Sequence, residues 1–206
     1  MIPGKRYLFF FAAGFLLIIA AGYSTYLSIA GEEDIWSAIT RYRRDNFYEI
    51  PGKWMNDQGD FISLSSFRGK KTVVSLVYLD CSASCPLIIQ HLKRLDKDTD
   101  HKSNSYRFVV ILLEDLTENP AIMAEYKKRY SIDGERWSIL TSDYSTLDRL
   151  TGSYRIFYQV KENLNFQFVH TNMIAFVDEE GNIKREIRNL SQFNSKKIAE
   201  WMNNEF

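Results

Sequence analysis

Thr72–Leu79 (TVVSLVYL) is a charge-free run of β-branched, aromatic and apolar residues that leads straight into Asp80-Cys81-Ser82-Ala83-Ser84-Cys85-Pro86. A strand of this composition lacks the alternation of a half-solvated one, so it must be covered on both faces. The pattern downstream supplies the cover. Pro86 opens a helical pattern with Leu87, Ile88, Leu92 and Leu95 on one stripe. Proline suits the first helical position because its missing N–H would be unpaired there anyway. A second buried-type strand, Tyr106–Leu113, is followed by a loop, Glu114–Asn119, and a helix from Pro120 to about Tyr130. Trp137–Leu140 reads as a short strand and Tyr144–Ser153 as a helix with Leu147 and Leu150 inward. Ile156–Val160 and Phe166–Val169 read as extended. Met173–Val177 and Ile183–Ile187 form a hairpin whose turn has Gly181 to supply positive φ. Ser191–Phe206 closes the chain as an amphipathic helix carrying Ile198, Trp201 and Met202. Upstream, Lys53–Leu64 reads as a small hairpin and Ser65–Gly69 as a turn plugged by Phe67. The order predicts an α/β sandwich with a mixed central sheet.

The N-terminus is different in kind. No charged residue occurs from Tyr7 to Gly31, and Tyr7–Ala21 is almost wholly apolar. About 20 helical residues cross a bilayer core, and a cleaved leader has an apolar stretch of only about 7–15. The segment therefore reads as an uncleaved transmembrane anchor. Lys5 and Arg6 favour an inside N-terminus, and Arg41, Arg43 and Arg44 do not reverse this, because long domains translocate largely regardless of such charges. The predicted organisation is a cytoplasmic tail (1–6), an anchor (7–30), a connector (31–52) and a globular domain (53–206) outside the cytoplasmic membrane. Lys+Arg 26 against Asp+Glu 26 leaves no global charge for binding nucleic acid.

Two cysteines are too few for a disulfide scaffold or a Cys-only zinc site. Both lie in one strand-to-helix turn, at the strand end where α/β folds build their functional crevice. A helix N-terminus favours a thiolate, so Cys85 is expected to have a lowered pKa. Two such sulfurs can converge on one soft ion or oxidise to a local disulfide. A metal needs a third ligand. His91 falls on the helix and reads as exposed, and His101 sits in a polar loop. His170 ends one extended stretch and directly precedes the next, which makes it the candidate. Two thiolates and an imidazole suit Cu(I), and imidazole suits copper in either oxidation state. Structural zinc would need a fourth ligand, for which Asp80 or Met173 is at hand.

From about Trp54 onward the chain resembles the Sco/SenC family of membrane-anchored, thioredoxin-like copper proteins. The resemblance rests on Ser66-Phe67-Arg68-Gly69-Lys70, the Cys-x-x-x-Cys-Pro of Cys81, Cys85 and Pro86, Tyr154-Arg155-Ile156-Phe157-Tyr158, and Val169-His170-Thr171 leading into Met173–Asp178 and Gly181. It implies that Cys81, Cys85 and His170 bind Cu(I) or Cu(II). It further implies delivery of copper to, or reduction of the cysteines of, the dinuclear copper site of cytochrome c oxidase. The partners would be that copper-site subunit or a similar cuproprotein, and another copper chaperone or thiol reductant. Three positions depart from the family pattern: Ser82 where proline usually follows the first cysteine, Val169 in place of an acidic residue, and Glu114-Asp115-Leu116 for the family's Asp-Pro.

The same dithiol admits a second function, a thiol–disulfide oxidoreductase in which Cys81 and Cys85 reduce client cysteines. Against a general thioredoxin-type enzyme stand the three-residue spacing and the lack of any proline after Pro120 to lie opposite the cysteines. A peroxidase is weaker still, since no Thr-x-x-Cys with a downstream Arg surrounds the motif. An anchored interaction module with a structural bridge is the remaining alternative.

Overall fold

The computed structural model describes residues 46–82, 84–99, 105–154, 156 and 172–206, all in the unit Arg44–Phe206. The expected anchor at 7–30, His101, His170 and nearly all of the two extended stretches before residue 170 lie outside the described residues. Among the described residues no helix is long and apolar enough to cross a membrane.

The strands are β1 (Trp54–Asn56), β2 (Phe61–Ile62), β3 (Lys71–Val77), β4 (Tyr106–Leu112), β5 (Trp137–Thr141), β6 (Ile174–Val177) and β7 (Ile183–Ile187), and the helices α1 (Ser84–Asp98), α2 (Ala121–Arg129), α3 (Tyr144–Ser153) and α4 (Ser195–Asn204). They form one sheet in the order β2-β1-β5-β4-β3-β6-β7. The central strands β3, β4 and β5 are parallel, and the flanking strands pair antiparallel. Alternate residues feed two cores. Val73, Phe108, Val110, Ile139 and Phe176 meet α1, α2 and α4 on one face. Val74, Leu76, Val109, Ile111 and Ala175 meet α3 and the 3-10 turns Phe47–Glu49 and Leu64–Phe67 on the other. The mixed α/β sandwich read from the sequence is therefore the fold, and covering both faces explains why β3 and β4 carry no charged side chain except at their outer ends.

Three details differ from the sequence reading. Helix α1 starts at Ser84, so Pro86 is its third residue; the first turn's N–H groups lack intrahelical partners, which tolerates proline there too. Its buried stripe is Cys85, Ile88, Ile89, Leu92 and Leu95, while Leu87, one residue out of phase, is 49% exposed. The closing helix is broken at Asn194, whose side chain accepts the Lys197 N–H (3.1 Å) and starts α4 afresh.

The folded unit also takes in the end of the expected connector. Phe47, Tyr48 and Ile50 are buried, because residue 46 onward is laid across the β6–β7 turn. The Phe47 N–H donates to the Gly181 carbonyl (2.9 Å) and Asn46 Nδ2 to the Glu180 carbonyl (2.8 Å). Gly181 has φ +100°, and a Cβ there would lie 2.1 Å from Asn46 Oδ1 and 2.8 Å from Tyr48 Cδ2. Gly181→Ala should therefore cost about 2–3 kcal/mol, from left-handed backbone strain and displacement of this segment. Urea unfolding would show it as a lowered midpoint; an unchanged midpoint would contradict the docking.

The Tyr48 hydroxyl donates to the Lys70 carbonyl (2.6 Å) and lies 2.9 Å from the Thr72 hydroxyl. Burial pushes its pKa up to about 12, against the Thr72 hydrogen bond, with Asp178 and Glu179 adding to the rise. The neutral phenol is thus favoured in the fold. Its stabilisation is complete below pH 10, the unfolded value, and is lost as pH climbs from 10 to 12, amounting to about 2–3 kcal/mol. Tyr48→Phe should lose less stability than the wild type across that interval, measured by denaturant titration at each pH.

Candidate metal centre

The register of the parallel strands decides what surrounds the cysteines. Val77 pairs with Leu112 at the carboxyl ends of β3 and β4, so the chain after each strand emerges at one edge. The Leu113 N–H continues the ladder to the Val77 carbonyl (3.0 Å). One residue on, Glu114 turns its carboxylate back, and Oε1 accepts the Leu79 N–H (2.9 Å). Strand β6 begins at the same edge because it runs antiparallel to β3: Ser75 pairs with Ile174, and its hydroxyl donates to the Met173 carbonyl (2.7 Å).

Cys81 and Cys85 meet at this edge, and neither is in a disulfide. The Cys85 N–H, in the first turn of α1, donates to Cys81 Sγ (3.3 Å), and the Ser84 hydroxyl lies 3.7 Å from the same sulfur. Cys85 Sγ in turn accepts the Tyr78 N–H (3.5 Å). The two sulfurs therefore differ. Cys81 is half-exposed and packs at the junction of both cores, whereas Cys85 is 0% exposed.

That asymmetry corrects the expected lowering of the Cys85 pKa. Burial pushes the Cys85 thiol well above its ordinary value, reinforced by its hydrogen bond with Cys81 and opposed by the Tyr78 N–H. A helix terminus contributes up to about 2 kcal/mol, whereas full burial moves a pKa by as much as 3–5 units, so desolvation wins. The helix amide expected to act on Cys85 points at Cys81 instead.

Burial also raises the Glu114 carboxyl to about 7, against the Leu79 N–H, with the nearby charges of Asp80 and Cys81 adding to it. Glu114 Oε2 and the hydroxyl of Tyr126, a residue of the same core as Cys85, are buried without a hydrogen-bond partner among the described residues. Buried polar atoms of this kind are normally satisfied by a ligand, a water or a protein group, so their presence beside two sulfurs fits a site built to receive something. Sequence reasoning did not assign either residue to the site. The signal for Glu114 was available: it is the first carboxylate after a strand whose partner ends at the cysteine loop.

Among the histidines, His91 is half-buried, its ring 4.6 Å from that of Phe193. Burial and Arg94 hold its pKa below the usual value. It lies six residues past Cys85, more than a turn and a half along α1, and takes no part in the cysteine site. His101 and His170 lie outside the described residues. Among the described residues no group of three His, Cys, Asp or Glu side chains is placed to hold a metal ion.

Comparison with known proteins gives the same architecture. The chain is 20% identical over 142 residues to the SCO1 protein homolog of Bacillus subtilis (strain 168), covering 68% of this chain and 73% of that protein. Its fold matches Bradyrhizobium japonicum ScoI, solved with copper bound, at a TM-score of 0.63 and 18% identity, over 76% of this chain and 98% of that one. It also matches BsSco, described as having a disulfide switch and as a member of the Sco family of cytochrome c oxidase assembly proteins, at a TM-score of 0.63 and 16% identity, over 78% of this chain and 96% of that one. At such identities these likenesses establish the thioredoxin-like fold. The SCO1/SenC family profile matches residues 42–204, and the chain belongs to that family.

Proposed function

We propose that this protein is a copper-binding assembly factor that holds its cargo between the sulfurs of Cys81 and Cys85 and the imidazole of His170. The observation that carries the reading is the convergence of two sulfurs at the carboxyl edge of the sheet, one half-exposed and one buried. Soft thiolates select Cu(I), and coordination removes the proton that burial otherwise keeps on Cys85. Met173, three residues after His170, lies at this edge, and three extended residues reach about 10 Å, which supports the imidazole as third ligand. The copper-bound solved relative and the assembly role given to BsSco support a cuproprotein client, such as the copper-site subunit of cytochrome c oxidase. The apolar segment 7–30 would hold the domain outside the cytoplasmic membrane.

Copper stoichiometry and X-ray absorption on the purified protein test the ligand set. His170→Ala removes a ligand itself, so binding should weaken by more than the roughly 10–100-fold that follows from losing a partner around a metal's ligands, and the absorption edge should change. Wild-type affinity with an unchanged spectrum would refute the three-ligand site.

A second reading is supported by the hydrogen-bonded dithiol itself. As a reductant, the Cys81 thiolate would attack one sulfur of a client disulfide and expel the other as thiolate. The Cys85 sulfur, giving up its proton, would then attack Cys81, releasing the second client thiol and leaving a Cys81–Cys85 disulfide. A dithiol potential near about −270 mV, that of thioredoxin, together with no copper uptake would favour this reading.

A further inference from the structure

Helix α1 carries more than Cys85. Along it runs a groove of about 360 Å³ with Pro86, Ile89 and Tyr130 as its apolar lining and Lys93, Arg94 and Lys97 as its basic one. The positions repeat every three or four residues, so they share one side of the helix. Lys93 Nζ also donates to the Tyr130 carbonyl (2.9 Å), which fixes the end of α2 against α1.

Among the described residues, none of the three cations is within ion-pair distance of a carboxylate. Asp96, their neighbour on the helix, is turned away to Arg136 and to Trp137 Nε1. The whole chain carries no net charge, so this positive strip is local. Its apolar end begins at Pro86, the residue after Cys85, and exposed Leu87 lies in the same turn.

We propose that this groove docks an extended acidic segment of a protein partner and thereby brings that partner to the Cys81 sulfur. Pro86 to Lys97 spans about 16 Å of helix, matching about five residues of extended chain. A concave site with an apolar lining suits a polypeptide, because a flat anionic bilayer cannot enter it. Charge complementarity would set the orientation and speed of encounter. That the partner is also the copper recipient rests on the function proposed above; the acidic specificity of the groove does not.

The test uses the full chain, copper-free, in a non-ionic detergent, with a fluorescein-labelled peptide carrying five consecutive glutamates followed by anisotropy. Arg94→Glu/Lys97→Glu changes exposed side chains and should weaken binding at least about tenfold, since two attractions become repulsions. The matched reversal Lys196→Glu/Lys197→Glu on α4 should change it less than about twofold. The wild-type complex should weaken as salt rises. Equal losses in both variants, or equal binding of a glutamine peptide, would overturn the proposal. So would phosphatidylglycerol vesicles bound through the same residues without competition by the peptide, which would make the strip a lipid contact. Copper stoichiometry should be the same in both double variants, so failure of the groove and failure of the metal site are read separately.

Discussion

Replacing Cys85 by serine is expected to abolish stoichiometric copper uptake. A serine hydroxyl is neither soft nor ionisable near neutral pH, so the loss should exceed the 10–100-fold that follows from changes around a metal's ligands. The fold should survive, because a hydroxyl can still accept the Tyr78 N–H and the volume change is small; the stability cost is about 1–2 kcal/mol. Cys81→Ser should lose copper equally with a smaller stability cost, since Cys81 is only half-buried. Equilibrium dialysis paired with circular dichroism checks both expectations. One-to-one binding at wild-type affinity in either variant would remove the sulfur pair from the site.

The largest loss of stability is expected at Phe108. Its ring is fully buried in the central strand β4, stacked on Trp137 with centroids 4.9 Å apart and planes at 19°. The Arg136 guanidinium, paired with Asp96, lies 5.7 Å from the ring centre. Phe108→Ala removes the side chain from the core shared by α1, α2 and α4, at a cost of about 3–5 kcal/mol. Loss of the ring pair itself accounts for about 0.5–1.5 kcal/mol of this. Chemical denaturation would read the change, and a shift below 1 kcal/mol would mean that the core closes around the gap.

The sheet was legible because β3 and β4 had to be buried on both faces, and the β6–β7 hairpin because Gly181 marks its turn. The ends of elements were less legible. Leu87 looked like part of an apolar stripe, but the buried positions Cys85, Ile88, Ile89, Leu92 and Leu95 recur every three or four residues, and Leu87 falls off that face while Ile89 lies on it. Phe47–Ile50 looked like connector because nothing local shows that a 3-10 turn will be held by a hairpin more than 130 residues away. In the site, the two cysteines could be read from spacing alone. The inverted roles of the sulfurs could not, since they depend on which one the α1 amide reaches and which one the fold desolvates. Glu114 and Tyr126 enter the site only through the strand register and the packing of α2.

The tie between Asn46 and the β6–β7 turn has a steric consequence. Val177, at the head of that turn, pairs with Thr72 near the start of β3, whereas the cysteines follow its finish. Seven residues of strand, about 20 Å, separate the two poles. Asn46, the first of the described residues, is therefore anchored at the pole remote from the thiols, and its docking on the turn takes up none of the sulfur edge.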